Sequence, residues 1–118
     1  MLTAHHVGAF LVIAVCTVSG AAALFAYRRR GTAGRLVAQL LALAQTVLVA
    51  QVALGLLLLG DHRRAAERLH YLYGSLALLS TLAPWLYAPE EARRRLAWFG
   101  GATLVAAALA VRAYMTAT

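Results

Sequence analysis

Four times the chain runs without a charged residue for roughly 20 residues, the length a helix needs to cross the hydrocarbon core of a bilayer. The runs are Val7 to Tyr27, Leu36 to Leu59, Leu69 to Tyr87 and Leu96 to Val111. In lipid a backbone must satisfy its own hydrogen bonds, so each run is expected to be helical. Charged residues make up 13% of the chain, against about 25% in a soluble domain. The sequence therefore reads as one transmembrane domain over residues 1–118, all-α, with helices at about 5–28, 33–59, 63–88 and 90–116. Its first partner is the lipid bilayer.

The connections carry helix punctuation. In "RRRGTAGR", Gly31 is placed as a helix stop and Thr32 as an N-cap. In "LLGDHRRAAERLH", Gly60 is a stop and Asp61 an N-cap. In "YAPEEARRRL", Pro89 stands at a first helical position, with Glu90 and Glu91 where the helix dipole favours negative charge. Pro84 falls inside the third run and frees the carbonyl of Ser80, which predicts a mild kink. Such short connections predict an up-down-up-down four-helix bundle.

Arginine sets the expected orientation. Arg28, Arg29, Arg30, Arg35, Arg93, Arg94 and Arg95 flank one side, whereas Arg63, Arg64, Arg68 and Arg112 flank the other. The side with seven is expected to be cytoplasmic, which puts both termini outside a multi-pass protein of the cell membrane. Trp85, Tyr87, Trp98 and Phe99 are then an inner aromatic belt, and Tyr71, Tyr73 and Tyr114 an outer one.

Several function classes fall away. The net charge of +7 sits in short clusters between apolar runs, a topology signal and not a nucleic-acid face. Cys16 is the lone cysteine, in mid-run, and reads as a small buried apolar residue. The first run lacks a basic leader and is too long for a signal-peptide core, so it reads as a retained helix. Asp61, Glu67, Glu90 and Glu91 all lie in connections. Proton-coupled transporters generally need a carboxylate inside a span. No phosphate loop, nucleophile elbow or zinc-protease helix is present, and no motif assigns a catalytic reaction. Gln39, Gln45 and Gln51 of the second run are expected to bond between helices.

The histidines converge where the carboxylates do not. His5 and His6 open the first helix, His62 lies in the second connection, and His70 begins the third helix. The expected topology puts all four at the outer surface. Helical steps lead from His70 to Gly74, Ala77 and Thr81, and from His5 to Gly8 or Ala9, Val12 and Cys16. Gln51 and Gly55 share a face of the second helix. Small residues beside histidines leave room for a flat molecule. Two neutral imidazoles facing across a bundle hold a six-coordinate haem iron. Arg63, Arg64 and Arg68 would meet the propionates. His5 and His6 are one residue apart, so only one readily faces His70. A zinc or copper site from His5, His6, His62 and His70 is a further use of the same side chains. The bland alternative is histidines resting in the headgroup layer and small residues serving close helix packing.

The stretch "QVALGLLLLGDHRRAAERLHYLYGSLALL" resembles part of the haem A synthase repeat. There a helix with a Gln-x-x-Leu-Gly stretch leads through an outer loop to a helix opened by a haem-ligand histidine. Gln51 to Gly55 match the former and His70 the latter, while "AHHVGAF" resembles the opening of the other ligand helix. The resemblance covers roughly residues 4 to 88. It implies a bis-histidine haem b site in the outer leaflet between the first and third helices, with His70 and one of His5 or His6 as iron ligands. In this chain the extra helix follows the histidine helix, and no acidic residue stands a turn before His5 or His6. What is implied is therefore a four-helix haem-binding relative or membrane cytochrome b type protein, with the synthase chemistry itself left open by these departures.

Two functions from different classes follow. One is a haem-binding membrane protein for electron transfer or haem handling. Its pocket is lined by Gln51, Gly55 and Gly74. The other is a cofactor-free accessory or scaffold subunit of a larger membrane complex. The Gly and Ala face in "FGGATLVAAALA" suits packing within the bundle, a homodimer, or such a complex.

Overall fold

The computed structural model describes residues 2–30, 32–60 and 69–117, except for the side chains of residues 2, 3, 59 and 117. These residues form four α-helices: α1 (Leu2–Arg29), α2 (Gly34–Gly60), α3 (Leu69–Tyr87) and α4 (Ala92–Ala117). Among the described residues, three are long and apolar enough to cross a membrane: Ala4–Arg29, Gly34–Leu58 and Ala92–Thr116. The third run is a helix of 19 residues, and it is not one of those three. His70, Tyr71, Tyr73, Ser75, Ser80 and Pro84 dilute its apolar character. Its expected start near residue 63 lies outside the described residues, as do Gly31 and Asp61.

Two helix starts differ from expectation. α2 begins at Gly34, two residues beyond Thr32, and Gly34 takes a φ of 69° that turns the chain into the helix. Glycine adopts that conformation without the Cβ penalty of other residues. α4 begins at Ala92, not at Pro89, and the carbonyl of Glu91 accepts the bond from Arg95 N at 2.8 Å.

Among the described residues α4 is the central helix. Both α1 and α3 lie along it, α1 also lies along α2, and α2 meets α3 and α4 over short stretches only. The inward faces are marked by residue size, not by hydrophobicity. Along α1, Val12, Cys16, Ser19, Ala23 and Ala26 recur at steps of three and four and are all buried. Val12 and Cys16 pack with Ala44, Leu48, Ala77, Ala106 and Ala107. Nearer the arginine-rich end, Ala23 and Ala26 pack with Leu41, Leu96 and Phe99. Phe99 is thus a core residue and not part of an aromatic belt. Trp85, Tyr87 and Trp98 stay exposed.

Helices α1 and α4 approach most closely at glycine. A Cβ added to Gly20 would stand 2.6 Å from Leu104 Cγ and 3.1 Å from the carbonyl oxygen of Gly100. One added to Gly100 would stand 3.0 Å from Ala23 Cβ. Small residues at such crossings let membrane helices gain dispersion contact, the main attraction left where lipid is as apolar as the side chains.

Polar side chains then tie helix to helix through backbone carbonyls. Ser19 Oγ donates to Leu40 O at 2.9 Å, and Ser80 Oγ to Ala102 O at 3.0 Å. Gln45 Nε2 donates to Thr81 O at 3.2 Å while its Oε1 accepts from Trp85 Nε1 at 2.9 Å. Each such bond in a membrane is worth about 0.6 to 2 kcal/mol.

Candidate functional site

Residues 5 and 6 of α1 are about 100° apart around the helix. The buried stripe through Val12, Cys16 and Ser19 extends back to His5, which is half-buried, while His6 is exposed. His70, in the first turn of α3, faces His5. Their ring centroids are 6.0 Å apart with planes at 80°. The structure therefore brings His5 and His70 together, and His6 does not join them.

His70 is oriented by α4. Its Nδ1 lies 2.7 Å from the carbonyl oxygen of Ala113. A carbonyl can only accept, so Nδ1–H donates, and in the neutral ring Nε2 is then the nitrogen with the lone pair. An imidazole held this way by a backbone carbonyl is the usual arrangement of a metal-binding histidine. His5 is different: its Nδ1 is buried and has no hydrogen-bond partner among the described residues. Buried side-chain nitrogens in native proteins nearly always have one.

The backbone of His5 is fixed from α2. Gln51 Nε2 donates to the carbonyl oxygen of His5 at 2.6 Å. The Gln51 amide lies against Gly8, where any Cβ would collide with Oε1. Gln51 therefore positions α1 and is not free to contact a ligand through that nitrogen. One turn on, a Cβ at Gly55 would stand 3.4 Å from His5 Cε1 and 3.9 Å from Nε2. Glycine at 55 thus leaves space that the His5 ring edges into. Around the Cβ position of Gly74, a turn beyond His70, no heavy atom lies within 4 Å.

Tyr71 is 5.5 Å from the His70 ring, Phe10 packs on Tyr114 at 4.8 Å, and the Arg112 guanidinium lies 5.5 Å over Tyr73. The residues expected to meet propionates, Arg63, Arg64 and Arg68, lie outside the described residues, as does His62. Among the described residues no three of His, Cys, Asp and Glu converge. A zinc or copper cage needs three or four protein ligands, so His5 and His70 alone do not make one. A macrocycle that brings its own four nitrogens needs only two.

Ala113 carries no signal in the sequence, because it acts through its backbone; Gly8 lies on the helical step from His5, but the Gln51 amide fills the space beside it. No protein-family model, no curated protein and no solved structure matches the chain. The likeness to the haem A synthase repeat stands on the quoted residues alone.

Proposed function

We propose that this chain is an integral membrane protein that binds b-type haem between His5 and His70, for electron transfer or haem handling. One observation carries the proposal: the Nδ1 edge of His70 is held by Ala113 O, which leaves its Nε2 edge for a ligand, opposite a half-buried His5 whose Nδ1 has no partner among the described residues. Two imidazoles that each approach one ion at about 2 Å place their ring centres on the order of 6 Å apart. The residues present thus suit an iron between them. Bound haem would supply one-electron chemistry. The chain's own part is to hold two neutral imidazoles, one oriented by Ala113 and the other carried on a backbone that Gln51 fixes. It also leaves open room at Gly74, and Arg63, Arg64 and Arg68 would pair with the propionates.

In the same proposal α1 to α4 alternate up, down, up, down in the cell membrane, with both termini outside. The contact of His5 with His70, and of His70 with Ala113, supports this, as does the packing of Arg93 on Tyr27 at the other end. The arginine-rich end is then cytoplasmic.

The deciding experiment is a visible spectrum of the detergent-purified protein from haem-supplied cells, oxidised and then reduced with dithionite. A sharp Soret band with split alpha and beta bands on reduction is expected. A featureless spectrum rejects the haem proposal. The competing proposal is a cofactor-free accessory subunit, alone as a homodimer or within a larger complex. It draws on α2, which buries only 17% of its apolar window inside the bundle and so leaves most of its surface for lipid or a protein.

A further inference from the structure

At the end of the bundle away from the histidines, α1 finishes, α2 begins, α3 finishes and α4 begins. Seven arginines (Arg28, Arg29, Arg30, Arg35, Arg93, Arg94 and Arg95) crowd this end with two glutamates, Glu90 and Glu91. Among the described residues the ion pair here is Arg94 with Glu91, at 3.6 Å and largely exposed. Such a pair contributes little. Nothing in α4 itself rewards three cations in its first turn, where the helix dipole is already positive.

Three of the arginines lie over aromatic rings and not on carboxylates: Arg29 sits 5.5 Å over Phe25, an exposed ring of its own helix, whereas Arg93 and Arg95 are held by rings of neighbouring helices or of the core. The Arg93 guanidinium lies 4.7 Å over the Tyr27 ring. That of Arg95 lies 5.3 Å from the Phe99 ring and 5.6 Å from the Trp85 ring. The rings are themselves fixed. Trp85 packs on Phe99 at 5.1 Å and donates from Nε1 to Gln45, and Phe99 is buried. A guanidinium lying on a ring face keeps its N–H edge free, and that edge is the part that pairs with two oxygens of a phosphate. Holding the side chain beforehand lowers the ordering cost of binding an anion. The exposed Trp85 and Trp98 flank the position, and such rings settle at headgroup depth. The charge, the depth and the fork geometry match one class of ligand.

We propose that Arg93 and Arg95, held against Tyr27, Phe99 and Trp85, bind the phosphodiester headgroup of an anionic phospholipid of the bilayer. This rests on the chain crossing a membrane and is independent of haem. The test is native mass spectrometry of the full-length chain taken from mixed micelles containing phosphatidylglycerol or phosphatidylcholine. Retention of phosphatidylglycerol over phosphatidylcholine is expected. It should fall about tenfold or more in Arg93→Gln/Arg95→Gln, since each held charge near anionic lipid is worth about 1 kcal/mol. Arg28→Gln/Arg30→Gln removes the same charge from the same end and should lower retention by a clearly smaller factor, since among the described residues neither side chain is held on a ring of another helix. Equal retention of both lipids, or an equal loss in the two double variants, overturns the proposal. So does displacement of the lipid by millimolar inorganic phosphate, which would make the site one for free phosphate. Should the glutamine variant fail to fold, Arg93→Lys/Arg95→Lys decides. It keeps the charge but loses the planar fork. Retention should drop several-fold, and full retention would overturn the assignment.

Discussion

The carbonyl oxygen of Ala113, near the end of α4, accepts a hydrogen bond from His70 Nδ1 at 2.7 Å. This contact between two helices sets which nitrogen of His70 is available to a ligand. Thr116 Oγ1 also donates to the same oxygen, at 3.1 Å, so the carbonyl is shared. The histidine predictions follow from this arrangement.

His70→Ala should abolish haem binding and leave the bundle folded, because the ring is half-exposed and removing it opens little of the core. His5→Ala should do the same, and His6→Ala should not, since His6 points away. The measurement is Soret absorbance per mole of protein, with helical circular dichroism as the folding control. Full haem retention in His70→Ala, or loss in His6→Ala alone, would refute the ligand pair.

The sequence made the helices legible and the faces partly so. The four uncharged runs marked four helices because the bilayer demands length and neutrality. Helix faces are harder to read, since every side of α1 is apolar and size replaces hydrophobicity as the inward signal. The steps from His5 through Val12 to Cys16 were visible, yet His6 could be set aside only once the buried stripe through Ser19, Ala23 and Ala26 was known. The helix starts at Gly34 and Ala92 were missed because local cap preferences at Thr32 and Pro89 are weak beside the geometry of short connections. Phe99 reads as a headgroup residue from its neighbours in sequence, next to Trp98. Its burial depends on Ala23, Ala26, Leu41 and Leu96, which belong to three different helices. Sequence spacing within one helix cannot report such a contact.

Gly8 and Gln51 should be coupled. Gly8→Ala forces the Gln51 amide off the His5 carbonyl, with a cost of about 0.6 to 1.7 kcal/mol, the range for an interhelical membrane hydrogen bond. Gln51→Ala should cost a similar amount. The double variant should cost much less than the two together, because either change already breaks the same bond. Thermal unfolding in detergent measures all three, and simple additivity would show that the contact is not formed.

The glycines of α4 should separate sharply by position. Gly100→Ala drives a methyl to 3.0 Å from Ala23 Cβ and 3.1 Å from Leu24 Cδ2, so α1 and α4 must part. Overpacking of this kind costs about 1 to 3 kcal/mol. Gly101→Ala meets nothing within 4 Å and should be neutral or slightly stabilising. The two variants differ by one residue, so their thermal midpoints form an internal control. A Gly101→Ala loss as large as that of Gly100→Ala would mean that Gly101 faces another molecule, and the homodimer would become the first candidate.

Orientation can be tested apart from cofactor. A periplasm-dependent reporter joined after Thr118 should be active, and a cytoplasm-dependent one silent. The arginine bias that supports this is seven against four, a modest margin under the rule that short basic connections stay inside. Changing Arg93, Arg94 and Arg95 together to glutamine leaves four on each side, and the population should then split between both orientations. If the reporter stays wholly outside in that triple variant, orientation is governed by something other than the flanking arginines. If it is inside in the parent chain, His5 and His70 lie at the cytoplasmic face, and any electron partner must be sought there.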